Sequence, residues 1–252
     1  ERERPIVIGK TDEDGNALVS STLLLDPTTL ALQIADRLEK LGIMDDAAQA
    51  ARTRLAQSNG AAQPAASGTK RSPYFCSGCP HNRSTQIPEG SLSMTGIGCH
   101  SMALFVKPDV ALAPNHMGAE GANWMGLAPF SGTKHIFQNM GDGTYYHSGL
   151  LAIRAAVASG VNITYKILYN DAVAMTGGQP VDGPISVAEI AHQVFHEGVK
   201  TIILLSDNPD AHRSNPEIPS NVRIGHRDTL DEIQRELREM PGCTVLIYEQ
   251  TC

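Results

Sequence analysis

The chain holds five cysteines, and three of them stand in motifs that suit metal chemistry. Cys76 and Cys79 form a Cys-x-x-Cys pair, and Cys99 follows Gly-Ile-Gly. Two thiols on one tight turn can bind one metal, and a distant cysteine, either Cys243 or Cys252, can complete a set of four. In a chain of this size the spacing favours metal or redox chemistry over a disulfide framework. From the residues alone, zinc and a four-iron cluster fit equally well.

A second group of residues suits a magnesium-bound phosphate. Gly141, Asp142 and Gly143 follow an apolar run, a helix is predicted next, and Asn170 follows the next apolar run. The carboxylate and the amide would then lie at one edge of a parallel sheet, beside a helix start whose dipole favours phosphate. Mg²⁺ prefers such oxygen ligands, and a backbone carbonyl near Ala172 would add another. Without this context, Gly-Asp-Gly is typical of an ordinary turn.

This order of strand, Gly-Asp-Gly, helix, strand and Asn-Asp resembles the magnesium–diphosphate motif of thiamine-diphosphate enzymes. The resemblance implies thiamine diphosphate and Mg²⁺ as cofactors. It implies Asp142, Asn170 and the Ala172 carbonyl as magnesium ligands, with Gly141 and Gly143 beside the diphosphate.

The residues after this loop carry a narrower resemblance. Thr176-Gly177-Gly178-Gln179 is similar to the 2-oxoacid:ferredoxin oxidoreductases, and the Ala-Met-Thr-Gly form looks like their indolepyruvate branch. The resemblance implies Thr176 and Gly177 as cofactor-binding residues, because a hydroxyl can donate to phosphate and glycine allows close backbone approach. A flexible thioether at Met175 suits an aromatic substrate, but it suits core packing equally well.

The cysteine motifs resemble the same family. Cys-x-Gly-Cys-Pro-His followed by Gly-x-Gly-Cys-His is similar to the segment that holds the cluster nearest the cofactor. The resemblance implies a 4Fe-4S cluster with Cys76, Cys79, Cys99 and Cys252 as ligands. Cys243 precedes an apolar run and is more simply a core residue.

Two further residues are candidates for catalysis. His81 follows the Cys-x-x-Cys pair, and beside a cofactor it could bind the diphosphate or a substrate carboxylate; His100 and His147 are weaker candidates of the same kind. Each of the three is more simply a structural histidine. Glu120 lies in Gly-Ala-Glu-Gly, which resembles the family's glycine-rich segment near the thiazolium. We expect it to be either catalytic or a solvated acid at a helix start.

Alternating strands and helices position these residues. The continuous apolar runs near 202–205 and 245–248 are typical of strands covered on both faces. Ser186 and Glu189 predict a capping box at the start of a helix. The predicted strands are 93–95, 111–113, 136–139, 163–169, 201–206 and 244–248, and the predicted helices are 145–159, 187–197 and 229–240. This alternation predicts an α/β fold, a doubly wound and mostly parallel sheet with helices on both faces, which the resemblance identifies as the thiamine-diphosphate-binding fold.

The domain organisation follows from a change of composition along the chain. Residues 1–60 are predicted to be a partly helical connecting region, with Leu30, Ile34 and Leu38 at helical spacing. Residues 61–73 have linker composition. The diphosphate- and magnesium-binding domain with the iron–sulfur ligands is predicted over 74–252. A start at Glu1 and an end directly after a strand suggest a segment of a longer polypeptide.

Charge and composition exclude some classes of partner. A net charge of −7 gives no electrostatic basis for binding nucleic acid or an anionic membrane, and aromatic residues are only 5% of the chain. No apolar run is long enough to span a bilayer. We therefore expect a cytoplasmic protein that binds neither nucleic acid nor membrane.

The resemblance implies a complete reaction for the parent enzyme. It is the oxidative decarboxylation of a 2-oxoacid, preferably an aryl pyruvate such as indolepyruvate, to an acyl-coenzyme A, with electrons passing through the cluster to ferredoxin. Other domains or subunits would complete the cofactor site, so this segment alone should be inactive, and we expect a homo-oligomer. The alternatives are a thiamine-diphosphate-dependent decarboxylase or synthase without redox chemistry, and a non-catalytic zinc-binding α/β module.

Overall fold

The computed structural model describes residues 7–21, 26–60, 72–180, 183 and 185–252, so most of the predicted 61–73 linker lies outside the described residues. The chain divides into two compact units, Glu1–Arg71 and Ser72–Cys252. The first unit contains two helices, α1 (Pro27–Lys40) and α2 (Asp46–Gly60). Asp26 caps α1 by accepting from the Thr29 N–H, and Pro27 occupies its first turn, as the geometry of a helix start favours.

Seven strands of the second unit, all parallel within its described residues, form one sheet in the order β2-β1-β3-β4-β7-β5-β6. The strands are β1 (Ser93–Met94), β2 (Ala111–Leu112), β3 (Ile136–Gly141), β4 (Ile163–Tyr169), β5 (Ile202–Ser206), β6 (Arg223–His226) and β7 (Cys243–Glu249). The predicted α/β class is confirmed. Strand β6 was not predicted, because its Arg-Ile-Gly-His sequence lacks the apolar run that is typical of the inner strands.

Helices cover both faces of this sheet. They are α3 (His81–Ser84), α4 (Ala103–Val106), α5 (Ala122–Leu127), α6 (Asp142–Thr144), α7 (Leu150–Ser159), α8 (Val187–His196), α9 (Pro209–Arg213) and α10 (Leu230–Arg238). One core cluster joins β3 and β4 to α7 and α8, and another joins β5 and β7 to α10. The predicted capping box is present, with the Ser186 hydroxyl and the Glu189 carboxylate satisfying each other's backbone N–H groups.

The helix after β3 differs from the prediction in one respect that concerns the site. It begins at Asp142, three residues earlier than predicted, and residues Tyr145–Gly149 form a π-helical turn before α7. A π-turn inside a helix is rare and is frequent at functional sites. Gly149 permits the close packing there, because a Cβ at this position would lie 2.4 Å from Met140 Sδ.

Within the described part of the chain, none of the helices is both long and apolar enough to cross a bilayer.

Candidate functional site

A cavity of about 400 Å³ opens at the carboxyl edge of the sheet. The chain leaves β1 outward to β2 and then returns to β3 on the other side of β1. This reversal opens a crevice between the loops that follow β1 and β3, which is where open α/β sheets bind ligands. Most of the lining residues come from the loops after β1, β3 and β4, including Cys99, His100, Asp142, Asn170 and Thr176; His81, before β1, and Met117, after β2, also line it.

Asp142 is held in a turn that uses both of its carboxylate oxygens. One oxygen accepts from the Gly143 N–H at 2.8 Å, and the other accepts from the Asn170 and Asp171 N–H groups at 2.9 and 2.8 Å. The side chain is buried, and burial raises the pKa of Asp142 above its usual value, whereas the three N–H donors lower it. A cation beside this carboxylate would favour its charged form.

The loop after β4 brings the predicted amide to the same edge. Asn170 is buried, and its side-chain oxygen accepts from the Ala172 N–H at 3.2 Å. Asp171 has a φ of +58°, a left-handed conformation that few residue types adopt readily, and its side chain is exposed. The structure therefore brings Asp142, Asn170 and Ala172 together, as the sequence analysis predicted.

Thr176 lies in a short loop closed by the pairing of Val173 with Gln179. Its hydroxyl donates to the Gln179 side chain at 2.7 Å, so in this conformation that proton is not available to a phosphate. Gly177 and Gly178 have φ values of +118° and +78°, which only glycine adopts without strain. Met175 is 54% exposed and lines the cavity, so it is not a core residue.

Two buried histidines line the cavity. His81 and His100 stand edge to face with 5.7 Å between their ring centroids. Burial lowers the pKa of His81 to about 4 and the pKa of His100 to about 3, so both rings are neutral near pH 7. His81 Nδ1 is 3.0 Å from the Ser84 hydroxyl. His147 also lines the cavity but is exposed, and its Nδ1 lies 2.8 Å from Ser148 Oγ.

Glu120 is buried, so the expectation that it is a solvated acid at a helix start is wrong. It is 1% exposed and does not line the cavity; it precedes Gly121, whose φ of +85° turns the chain into α5. One carboxylate oxygen accepts from the Gly118 N–H at 2.8 Å. Burial raises the pKa of Glu120. The hydroxyl of Tyr165 on β4 donates to the Glu120 carbonyl at 2.8 Å, so this residue packs against the sheet.

Four cysteines gather beside the cavity. Burial raises the pKa values of Cys79 and Cys99, and the neighbouring thiols, including those of Cys76 and Cys252, add to the effect. Cys99 lies five residues after β1, at the start of a short 3-10 helix. The Cys252 N–H donates to the Asn170 carbonyl at 3.4 Å, which places Cys252 next to the loop that follows β4.

Cys243 lies apart from these four. It is the first residue of β7, whereas Cys252 follows the last one. Since a strand of seven residues spans about 20 Å, the two cysteines lie at opposite edges of the sheet. Burial raises the pKa of Cys243 to about 12, as expected for an inert core thiol.

The donor sets differ in how well they suit a metal. The oxygens of Asp142 and Asn170 are the hard donors that Mg²⁺ prefers, and they lie at the cavity wall. Among the described residues, no three His, Cys, Asp or Glu side chains are arranged to hold one metal ion. A zinc site would require its sulfurs to converge within about 3.8 Å of each other, whereas in a four-iron cluster each thiolate binds a different iron.

The sequence analysis missed the apolar wall of the cavity. Ile97, Met117 and Val173 line it, and each side chain is more than a third exposed. Each lies within or beside a glycine-rich motif whose polar residues were the predicted site residues. The sequence signal for the wall was an apolar residue next to each polar motif, because ligand pockets combine apolar walls with a few polar groups.

Residues 96–245 match the protein family described as thiamine pyrophosphate enzyme, C-terminal TPP binding domain. Thiamine pyrophosphate is another name for thiamine diphosphate. The match covers more than half of the chain and includes the Asp142 turn and the Asn170 loop. The chain belongs to this family. The predicted thiamine-diphosphate-binding fold is thereby confirmed.

Curated relatives point to one branch of that family. The chain is 28% identical over 155 residues to the indolepyruvate oxidoreductase subunit IorA of Methanothermobacter thermautotrophicus, a match over 53% of this chain and 25% of that protein. The same subunit of Archaeoglobus fulgidus is 31% identical over 131 residues, 47% of this chain and 20% of that protein. The matched region therefore spans about a quarter or less of the length of these relatives.

A solved structure shares the fold. The 2-oxoglutarate:ferredoxin oxidoreductase of Magnetococcus marinus aligns with a TM-score of 0.54 and 15% identity, over 73% of this chain and 66% of that one. Its structure contains 2-oxoglutarate, coenzyme A and succinyl-CoA. At this identity the likeness supports the fold alone.

Proposed function

We propose that this chain is the diphosphate- and magnesium-binding part of a 2-oxoacid:ferredoxin oxidoreductase of the indolepyruvate type. The reaction would convert an aryl pyruvate and coenzyme A to an acyl-coenzyme A and carbon dioxide, with both electrons passing through a 4Fe-4S cluster to ferredoxin. The family match supports the cofactor, and the relatives support the reaction class. The connecting role of residues 1–60, the homo-oligomer and the cytoplasmic location belong to this proposal.

One observation carries the proposal. Cys252, a free cysteine, follows strand β7. Its backbone N–H donates to the carbonyl of Asn170, in the loop after β4 that we assign to diphosphate binding. The diphosphate site and the cysteine group therefore share one edge of the sheet. A thiamine enzyme without redox chemistry has no need for four thiols there, and a zinc-binding module has no need for the Asp142 turn.

The residues that would hold the cofactor follow from the geometry. Asp142, the Asn170 amide oxygen and the Ala172 carbonyl would bind Mg²⁺, and the helix start at Gly143 would face the diphosphate. When bound, thiamine diphosphate supplies the electron sink for decarboxylation. His81, neutral and oriented by Ser84, would donate or accept a hydrogen bond at the cavity wall.

The apolar wall supports an aryl substrate. Ile97, Met117 and Met175 give the cavity an apolar surface beside its polar end. Flexible thioethers adapt to a planar ring and exclude water from the polar groups. A charged 2-oxoacid such as 2-oxoglutarate would find no cationic side chain among the cavity-lining residues of the described chain.

The cysteine arrangement supports a cluster over zinc. The neighbouring thiols help to raise the pKa values of Cys79 and Cys99, and no three of these side chains within the described part of the chain are arranged around a single ion. Cys76, Cys79, Cys99 and Cys252 would each bind one iron. Ferredoxin and the domains or subunits that complete the cofactor site are the partners this proposal requires.

The test begins with cofactor binding to the intact protein. Calorimetry with thiamine diphosphate and Mg²⁺ should give saturable binding to the wild type, and Asp142→Ala should weaken it at least about a hundredfold, or ~2.8 kcal/mol. Asp171→Asn is the matched control, because asparagine tolerates the left-handed backbone and should leave affinity unchanged. Equal affinity of wild type and Asp142→Ala would refute the magnesium assignment.

The redox part is tested separately. Protein purified without oxygen should be brown, contain iron and sulfide, and bleach with dithionite. Colourless protein that binds thiamine diphosphate would indicate a decarboxylase or synthase without redox chemistry. Stoichiometric zinc without cofactor binding would indicate the non-catalytic module.

A further inference from the structure

Several buried side-chain polar atoms of the described residues lack hydrogen-bond partners, and two of them belong to side chains that lie against one glycine, Gly96. They are His100 Nε2 and Glu120 Oε1. Their side chains are 2% and 1% exposed. Leaving a buried polar atom unpaired costs about 1–3 kcal/mol, so two such atoms in one place call for an explanation.

Both side chains border the same small space beside Gly96. A Cβ at Gly96 would lie 2.9 Å from His100 Nε2 and 3.4 Å from Glu120 Cγ. It would also lie 2.7 Å from the Asn139 carbonyl oxygen. One buried water about 2.8–3.0 Å from each partner can connect two unpaired polar atoms that lie this close together. Glycine at 96 allows the close approach of these groups, because a Cβ there would collide with His100 Nε2 and with the Asn139 carbonyl oxygen.

The His100 ring is fixed from its other side as well. A Cβ at Gly98 would lie 2.9 Å from the ring atom Cε1 and 3.0 Å from Nδ1, and a Cβ at Gly141 would lie 3.4 Å from Cε1. Gly98 and Gly141 line the cavity. The Nε2 edge of the ring therefore faces Gly96, and the Nδ1 edge faces the cavity-lining glycines.

We infer that Glu120 is a positioning residue whose carboxyl group is linked to His100 Nε2 through one buried water, and so fixes the imidazole with Nδ1–H facing the cavity. Since burial favours the protonated carboxyl, Glu120 can supply the proton of this link. Nε2 is then an acceptor, and the ring's hydrogen resides on Nδ1. The Glu120 oxygen bonded to the Gly118 N–H holds the carboxyl group in place.

In this arrangement the His100 ring offers the cavity a hydrogen-bond donor, Nδ1–H, whose direction is fixed. A neutral imidazole whose N–H points into the cavity can donate to an anionic oxygen without a charge of its own. This consequence rests on the proposed thiamine-diphosphate site, but the orientation of the ring does not. Glu120 acts through His100, since it does not line the cavity itself.

The orientation is tested without cofactor. Solid-state NMR of intact protein with ¹⁵N-labelled histidine, compared with His100→Asn to identify the signal, should show wild-type His100 with its hydrogen on Nδ1. Glu120→Gln keeps an N–H donor and should preserve this form, whereas Glu120→Met, of similar length, should give a mixture of tautomers. A wild-type His100 with its hydrogen on Nε2 overturns the inference, even if Glu120→Met does not fold.

Cofactor affinity gives a second measurement. Glu120→Met should weaken thiamine-diphosphate binding between about twofold and tenfold, the effect of one misdirected hydrogen bond, and Glu120→Gln should restore it. Glu232→Gln, on the exposed surface of α10, is the control for a lost carboxylate. Equal affinity of Glu120→Met and wild type would overturn the inference, whereas absence of binding to wild type would overturn the proposed function instead.

Discussion

The two ends of strand β7 place the same side chain in opposite surroundings. Cys243 starts the strand at the amino edge of the sheet, where burial raises its pKa to about 12. Cys252 follows the strand at the carboxyl edge, exposed and close to three other thiols. The residue type does not distinguish them. The edge of the sheet on which they lie does.

The same contrast holds for two asparagines. Asn162, at the amino edge, uses both side-chain groups on neighbouring backbone: its oxygen accepts from the Gly242 N–H at 2.8 Å, and its nitrogen donates to the Lys134 carbonyl at 3.2 Å. Asn170, at the carboxyl edge, directs its oxygen to a single local N–H at 3.2 Å, on Ala172. At the amino edge, Asn162 uses its polar groups in hydrogen bonds between neighbouring segments. At the carboxyl edge, Asn170 keeps hydrogen-bonding capacity that a ligand could use.

The largest expected effect separates the two cysteines. Cys252→Ser should remove most of the iron from protein purified without oxygen, because a cluster needs all four thiolates. Cys243→Ala should leave the iron content unchanged, since that thiol lies at the other edge. Iron and sulfide analysis of both variants checks this. Equal iron loss in the two would break the contrast between the edges.

The next effect concerns His135 at the amino edge. Burial lowers the pKa of His135 to about 4; the positive charge of Arg238 lowers this pKa further, and the negative charge of Glu239 raises it. The Nε2 atom of His135 lies 2.8 Å from the Thr164 hydroxyl. The unfolded chain binds this proton near pH 6.5, so it binds more protons than the folded chain between about pH 6.5 and 4. The free energy of unfolding should therefore fall with decreasing pH across that window, by on the order of 3 kcal/mol from this group.

His135→Gln removes that titration and should reduce the pH dependence of the unfolding free energy, measured by denaturant titration at several pH values; the part due to buried His81 and His100 should remain. His192→Gln, an exposed histidine on α8, is the control and should leave the slope as it is in the wild type. An unchanged slope in His135→Gln would show that other groups set the acid sensitivity.

The smallest effect sharpens the contrast between the asparagines. Asn170→Ala should weaken thiamine-diphosphate binding with Mg²⁺ about tenfold and change the unfolding free energy by less than about 1 kcal/mol. Asn162→Ala should do the reverse, with a loss of about 1–3 kcal/mol of stability and unchanged affinity. Trp124 reports on unfolding, because its indole N–H donates to the Asn162 carbonyl at 3.0 Å. Loss of affinity in Asn162→Ala would contradict the separation.

Much of the fold was predictable from local patterns. The apolar runs of β4, β5 and β7 and the capping box of α8 depend on neighbouring residues, and the structure contains all of them. Strand β6 was missed because its residues are polar and partly exposed, and it forms only by pairing with β5. The π-turn at 145–149 was missed because helical periodicity does not reveal a single inserted residue.

The sequence by itself determined which side chains can do chemistry: the Asp142 turn, the Asn170 loop and the Cys-x-x-Cys pair are local motifs. The tertiary structure decided which cysteine joins the group, since strand direction sets the edge on which Cys243 and Cys252 lie. It also decided that Glu120 is buried and that it approaches the same glycine, Gly96, as His100. Burial and proximity between distant segments arise from packing, which no short stretch of sequence specifies.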